Sequence, residues 1–135
     1  GGVAGHAGIF SNAMDVAKIM QLFLQKGSYG NKRYFSEKTF DTFNTSYYAA
    51  VGVQRGLGFD KRIAEVGPTC ACVSEASFGH TGFTGDIAWV DPETDLVYVF
   101  LSNRTYPEVT AEGNKLSKEK IREDIQKIIQ EAIIK

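Results

Sequence analysis

The chain has 135 residues, of which 43% are apolar and 12% aromatic, and 15 basic side chains stand against 16 acidic ones. This length and composition fit one globular domain or part of one, and they exclude an intrinsically disordered chain. The net charge of −1 argues against a nucleic-acid-binding protein, and no apolar run approaches the roughly 20 residues of a membrane span.

The first eight residues form a glycine-rich segment that contains four glycines. Such a segment predicts a loop, because glycine loses much backbone entropy in a helix. No Gly-Lys-Ser/Thr follows, so the segment is not a phosphate-binding loop. It either borders an active site or is only a tight connection. The segment has no signal-peptide pattern and no initiator Met, so we expect a processed or excised chain whose compartment cannot be read from this end.

Two helices are predicted next. The first is capped by Ser11 or Asn12 and stops at Gly27. Its apolar face has helical spacing and consists of Val16, Ile19, Met20 and Phe23. The second, shorter helix starts at a Ser36 cap and ends near Asn44. Phe35 and Phe40 flank that cap at the spacing of a hydrophobic staple.

Extended segments follow from about residue 53. Three short ones are predicted, around Leu57 and Phe59, at 69–73 and at 77–81. The clearest pair is 86–90 and 96–101, which flank the turn sequence Asp-Pro-Glu-Thr-Asp and therefore predict an antiparallel hairpin. The unbroken apolar run at 96–101 predicts a strand that is covered on both faces.

Two cysteines, Cys70 and Cys72, lie one residue apart in the predicted strand 69–73. In a strand the two side chains would point to the same face, but the distance between the two residues would not favour a disulfide. We therefore expect both cysteines to be small buried residues. Two Cys and two His that are scattered along the sequence do not make a zinc site, so no metal site is predicted.

A long amphipathic helix is predicted from about Ser117 to the end, with an apolar stripe of Ile121, Ile125, Ile128 and Ala132 that Ile129 and Ile133 widen. The fold class is therefore α+β: an antiparallel sheet flanked by an N-terminal helical segment and a long C-terminal helix. We expect one partial domain over 1–135, with a helical segment at 1–50 and the sheet plus terminal helix at 51–135.

The segment 78–86 carries the residues best suited to chemistry. A strand ends there at His80 and Thr81, and glycines lie on both sides of the pair. Such an edge lets a substrate backbone lie close and can direct a backbone N–H at a developing oxyanion. The side chains of His80 and Thr81 offer a donor and an acceptor at one place. Trp89, in an apolar strand, is interpreted as core.

The sequence His80-Thr81-Gly82 resembles the third motif of the serine β-lactamase and penicillin-binding-protein family, which is Lys-Thr-Gly in many members and His-Thr-Gly in class C-like enzymes and their esterase relatives. The glycine-rich segment and first helix, and the strands around Trp89 and Asn103-Arg104, resemble the same family in order and spacing. The resemblance extends over nearly the whole chain. It implies the C-terminal portion of a β-lactamase/transpeptidase-like fold.

The resemblance implies acyl transfer through a covalent acyl-enzyme, by a serine that attacks a lactam, amide or ester carbonyl. In that scheme His80 steers the substrate or a neighbouring Tyr, Thr81 contacts a substrate carboxylate or carbonyl, and Gly82 leaves room for the substrate. The backbone N–H of Phe83 forms half of the oxyanion hole, and His6 borders the pocket. Because a histidine lowers the standing positive charge relative to lysine, the interpretation favours esters or peptides over β-lactams.

The nucleophile motif of the family is expected upstream of the glycine-rich segment, outside this chain. Two sequences match family motifs only by their letters. Ser117-Lys118-Glu119-Lys120 fits Ser-x-x-Lys but lies at a predicted helix cap, and Tyr29-Gly30-Asn31 fits Tyr-x-Asn but lies in a predicted turn. We therefore expect this chain to be inactive alone and to need the N-terminal part of the domain as its partner.

Two alternatives stay open at this point. The chain could be a non-catalytic accessory or interaction domain, or the parent could carry a glycoside hydrolase such as a β-N-acetylhexosaminidase, as some relatives do. The expected partner of the parent is a small-molecule or peptide substrate, with neither nucleic acid nor a cofactor. Self-association through exposed surface is a further expectation, and the resemblance suggests an extracytoplasmic protein, periplasmic or secreted, in bacteria.

Overall fold

A computed structural model of the protein describes residues 7–63, 67–109 and 118–133. Within these ranges the chain forms three α-helices and six short strands, of which the first two form a small hairpin and the other four form an antiparallel sheet. In chain order they are α1 Ala13–Leu24, β1 Ser28–Tyr29, β2 Lys32–Arg33, α2 Glu37–Asn44, β3 Asp60–Lys61, β4 Phe78–Thr81, β5 Ile87–Asp91, β6 Leu96–Phe100 and α3 Ile121–Glu131. The predicted α+β class is confirmed. No helix in the described part of the chain is long and apolar enough to cross a membrane.

Both N-terminal helices begin at caps that the sequence predicted. The Asn12 side chain accepts a hydrogen bond of 3.0 Å from the backbone N–H of Asp15, and Ser36 accepts one of 3.1 Å from Thr39. These bonds pair backbone donors that the first helical turn leaves free. The predicted apolar face of α1 is too wide, however, because Ile19 is 53% exposed while Met20 is buried.

The sheet has the strand order β3-β4-β5-β6, with every neighbouring pair antiparallel. The predicted hairpin is confirmed: β5 pairs with β6 in a register that sets Asp91 opposite Leu96. The predicted run around Leu57 and Phe59 is instead a loop that leads into β3. Glycines at 56 and 58 interrupt that run, and the strand itself starts at Asp60.

The core lies on both faces of the sheet. On one face Met20 of α1 and Phe40 of α2 pack with Phe78 and Val90. On the other face Ile87, Trp89 and Tyr98 form a second cluster with Ile125 of α3. The prediction that 96–101 is covered on both faces therefore holds for its centre, where Val97 joins the first cluster and Tyr98 the second. Trp89 is core, as predicted.

The prediction of a strand at 69–73 is wrong, and so is the prediction that its cysteines are unpaired. The segment is a loop in which Cys70 and Cys72 form a disulfide, with their Cα atoms 5.2 Å apart. The Cys70 N–H donates to the Gln126 side chain at 3.1 Å rather than to a neighbouring strand. In the loop the two Cα atoms lie within the range that a disulfide needs, whereas an extended strand would separate them further.

The terminal helix α3 buries only part of the stripe that the isoleucine spacing predicted, since Ile125 packs in the second cluster. Arg122 and Gln126 are buried, whereas Ile128 is 67% exposed. The buried polar groups are held by hydrogen bonds: Arg122 Nη1 donates to the Gly85 carbonyl at 3.2 Å, and the Tyr98 hydroxyl donates to the Arg122 carbonyl at 3.0 Å. The predicted cap at Ser117 lies outside the described residues.

Lys61 of β3 has an ammonium group that is partly removed from water. Its Nζ lies over the Phe78 ring, 5.4 Å from the centroid. Burial disfavours the charged form and lowers the pKa of Lys61 to about 8. The charged side chain therefore destabilises the fold below pH 8, and this cost is removed as the pH rises.

We predict that Lys61→Met stabilises the protein at pH 7. The folded-state pKa is below the unfolded value, so the unfolded chain binds more protons between about pH 8 and 10.5 and wild-type stability rises in that window relative to the variant. Because the ammonium keeps partial contact with water, we expect the free energy of unfolding to increase by about 1 kcal/mol, less than the whole pKa shift would give. Urea unfolding from pH 7 to 10.5 measures this, with exposed Lys38→Met as the control. A constant difference between wild type and Lys61→Met across the window would contradict it.

Candidate active site

The carboxyl end of β4 opens onto a cavity of about 610 Å³. Three of the predicted site residues line it, namely His80, Thr81 and Gly82, and the same cavity is lined by Ile9, Phe10 and Ser11. The residues that follow the glycine-rich segment and the residues of the His-Thr-Gly motif are therefore brought together across one cavity. His6, the remaining predicted pocket residue, lies outside the described residues.

The turn that follows the motif is tightly braced. The Gly82 N–H donates to the Asp86 carbonyl at 2.9 Å, and the Gly85 N–H donates to the Gly82 carbonyl at 3.0 Å. The Asp86 carboxylate accepts from the Thr84 hydroxyl at 2.5 Å and from the Ser102 N–H at 2.6 Å. This turn, residues 82–86, is therefore fixed both internally and to the end of β6.

Phe83 lies within that turn and is 73% exposed. The Arg104 Nε donates to the Phe83 carbonyl at 2.6 Å, and the guanidinium lies 5.1 Å from the ring centroid. The hydrogen bonds among described residues include none from the Phe83 N–H. Phe83 itself is not among the lining residues of the cavity, but its neighbours Gly82 and Thr84 are. A braced peptide whose N–H has no partner among the described residues is the arrangement that an oxyanion donor requires.

His80 has a partner on each ring nitrogen. Arg55 Nη2 lies 2.8 Å from Nε2, and the Thr81 carbonyl oxygen lies 2.6 Å from Nδ1. Because a guanidinium only donates and a carbonyl only accepts, these partners specify a neutral imidazole with the proton on Nδ1. Arg55 is itself paired with the Asp60 carboxylate at 2.8 Å.

Sequence reasoning missed Arg55 and Asp60. Arg55 is 25 residues from His80, in a loop without a motif. The loop folds back so that Arg55 forms an isolated bridge with Asp60, and Asp60 pairs with Gly79 beside the histidine. No spacing in the sequence indicates this approach, since it depends on how β3 pairs with β4.

The two glycines next to His80 and Thr81 have different neighbours. A Cβ on Gly79 would lie 2.8 Å from Trp89 Cα, so the glycine is required by the neighbouring strand β5. A Cβ on Gly82 would lie 3.1 Å from an Asp86 carboxylate oxygen. The sequence predicted that a substrate backbone lies close to these glycines. At Gly79 the backbone of β5 occupies that space, and at Gly82 the Asp86 side chain lies beside it.

Of the two sequences that match motifs only by their letters, Tyr29-Gly30-Asn31 lies within the described residues and does not line this cavity. Tyr29-Gly30-Asn31 spans the tight turn between β1 and β2, where Gly30 has φ +58°, and it is absent from the cavity lining. Ser117 lies outside the described residues. Within the described ranges, no group of three or more His, Cys, Asp or Glu side chains could hold a metal ion.

Comparison with known proteins shows what the chain is similar to. A sequence model of the family described as Beta-lactamase matches residues 1–121. A protein of Escherichia coli O157:H7 named D-alanyl-D-alanine carboxypeptidase is 40% identical over 113 residues, which are 81% of this chain and 25% of that protein. An N-acetylmuramyl-L-alanine amidase of Bacillus subtilis is 40% identical over 118 residues, 84% of this chain and 26% of the relative.

Among solved structures, a β-lactamase from Mycobacterium bovis superposes with a TM-score of 0.56 at 25% identity, over 84% of this chain and 41% of that one. The chain thus spans about a quarter of the length of the curated relatives it matches. The family model matches nearly all of the sequence, including the glycine-rich segment and the His-Thr-Gly strand. The chain therefore belongs to the β-lactamase family, a family of serine hydrolase-like proteins.

Proposed function

We propose that this chain forms the oxyanion and substrate-binding wall of a serine hydrolase that works through an acyl-enzyme. The observation that carries the proposal is the braced N–H of Phe83, which makes no hydrogen bond among the described residues and lies between Gly82 and Thr84, two residues that line the cavity with His80 and Thr81. When a serine attacks a carbonyl, negative charge develops on the carbonyl oxygen, and a fixed N–H stabilises that charge. His80, Thr81 and Gly82 contact the rest of the substrate.

The nucleophile is proposed to lie in a part of the domain outside this chain. The chain corresponds to a quarter of its curated relatives, so most of such a protein has no counterpart here. Apolar side chains at the cavity support a neighbouring part of the same domain, since Ile9 and Phe10 line it and Phe10 is 91% exposed. Self-association of the chain alone through this surface stays a prediction.

The proposed substrate is a peptide amide or an ester. The relatives are named as a carboxypeptidase, an amidase and a β-lactamase, and each of these names refers to cleavage at an amide or lactam carbonyl. His80, held neutral by its partners, brings less positive charge to the motif than a lysine would. This supports a peptide or an ester over the carboxylate of a β-lactam.

A fluorophosphonate probe tests this proposal. We expect intact-mass spectrometry to show one adduct on the full-length protein, mapped to a serine outside this 135-residue segment, and no adduct on the segment alone. An adduct on a serine within the segment would contradict the proposed division of the site. If neither protein reacts, the hydrolase proposal is wrong and the accessory-domain alternative is favoured.

A further inference from the structure

We propose that Arg55 is a positioning residue for His80, which sets the tautomer and ring orientation of the histidine in the His-Thr-Gly motif. The inference rests on the proposed function for its kinetic consequence, but its structural part stands without it. The contact that carries it is the 2.8 Å approach of Arg55 Nη2 to His80 Nε2.

The hydrogen-bond roles at His80 follow from its neighbours. Arg55 can only donate, so Nε2 must present a lone pair. The Thr81 carbonyl can only accept, so the proton must be on Nδ1, 2.6 Å from that oxygen. Without Arg55, Nε2 would lose its only partner among the described residues. The ring could then turn toward solvent and away from the Thr81 carbonyl, and the Nδ1–H form would no longer be fixed.

Arg55 is in turn fixed from two directions. Its second guanidinium nitrogen, Nη1, lies 2.8 Å from the Asp60 carboxylate, and its backbone forms a bridge with that same residue. Asp60 pairs across the sheet with Gly79, the residue before His80. A chain of side-chain contacts therefore leads from Asp60 on the edge strand β3 through Arg55 to His80 on β4.

This arrangement gives each member a distinct role. His80 and Thr81 line the cavity, whereas Arg55 does not. Arg55 therefore acts through the imidazole rather than on the substrate. With Nδ1 and Nε2 both engaged, His80 presents a fixed ring surface to the substrate and does not exchange a proton with it.

The test uses the full-length protein with ¹⁵N-labelled histidine. Long-range ¹H–¹⁵N spectra report which ring nitrogen carries the proton, and the His80 signals are assigned by their loss in His80→Gln. We expect a neutral His80 with Nδ1 protonated in the wild type. In Arg55→Ala we expect a mixture with the Nε2–H form, and in Arg55→Lys, which keeps a donor, we expect the wild-type state.

Kinetics supply the second readout. We expect Arg55→Ala to lower the acylation rate by about tenfold, the loss of one hydrogen bond to a charged group, while Arg55→Lys stays within about threefold of wild type. Arg33→Ala is the matched control, because Arg33 also pairs with a carboxylate, has a similarly exposed side chain and lies away from the cavity. Asp60→Asn provides a milder second variant should Arg55→Ala unfold.

The outcomes separate the two proposals. A protonated Nε2 in the wild type, or an unchanged tautomer in both Arg55→Ala and Asp60→Asn, overturns the positioning role. A slower acylation in Arg55→Ala without a change at His80 also overturns it. Absence of acylation in the wild type refutes the proposed function instead, and the spectra of the same samples still decide the role of Arg55.

Discussion

Replacing Phe83 by proline is expected to lower the acylation efficiency of the full-length protein by about 10²–10³-fold, the loss typical of one oxyanion-hole donor. Proline removes the N–H and leaves the carbonyl that Arg104 holds at 2.6 Å. Because the Phe83 N–H makes no hydrogen bond among the described residues, its removal breaks no bond of the fold that the structure describes. The measurement is kcat/KM with an activated ester or peptide substrate.

Phe83→Ala is the matched control for this prediction. It keeps the backbone N–H and removes the exposed ring together with its contact to Arg104. We expect activity within about threefold of wild type, since the ring does not line the cavity. If alanine costs as much as proline, the side chain rather than the N–H is important and the oxyanion assignment is wrong. Circular dichroism of both variants shows whether the fold is retained.

The largest stability effect is expected from Asp91→Ala. Asp91 ends β5, is only 2% exposed, and accepts hydrogen bonds from four groups. The donors are the Ser74 N–H at 2.9 Å, the Ser74 hydroxyl at 2.6 Å, the Glu93 N–H at 3.1 Å and the Gln130 side-chain amide at 3.1 Å. Alanine would remove this acceptor from both Ser74 donors and from the Glu93 N–H. Gln130 would keep only Thr94 as an acceptor among the described residues, and we expect the whole loss to cost about 3 kcal/mol or more.

Chemical denaturation measures this loss. Asp91→Asn keeps the shape but places an amide donor among donors, so we expect a smaller loss of about 1–3 kcal/mol. Glu93→Ala, an exposed acidic side chain in the same turn, is the control and should change stability by less than about 0.5 kcal/mol. A loss for Asp91→Ala as small as that of Glu93→Ala would show that Asp91 does not join the loop, the hairpin and α3 together.

The elements that the sequence predicted well are those with local signals. The α1 cap needs only Asn12 and the N–H three residues later, and the β5–β6 hairpin needs only two apolar runs around a turn. The resemblance of the His-Thr-Gly strand likewise rests on contiguous residues. Such features are encoded within a few residues and are readable without knowing what packs on them.

The features that the sequence could not show depend on contacts between distant segments. Arg122 is buried on α3 because its guanidinium reaches the Gly85 carbonyl, 37 residues away. Isoleucine spacing alone therefore identified Ile125 as a core contact but missed Arg122 and placed the exposed Ile128 in the core. In the same way the pairing of β3 with β4 brings Arg55 within hydrogen-bond distance of His80, although the two residues are 25 positions apart in the sequence. The Cys70–Cys72 disulfide was missed because the local segment was interpreted as extended, whereas Gln126 and Asp91 hold it as a loop.

In the proposed mechanism the turn after β4 stabilises the oxyanion that forms when a nucleophile from another part of the domain attacks the substrate. The most direct test is the crystal structure of the full-length protein after reaction with a phosphonate ester, whose phosphonyl oxygen occupies the oxyanion position. We predict that this oxygen lies about 3 Å from the Phe83 backbone nitrogen, with the remainder of the adduct against Thr81 and Gly82. A phosphonyl oxygen bound by other donors, with this cavity empty, would show that the Phe83 N–H is not an oxyanion donor.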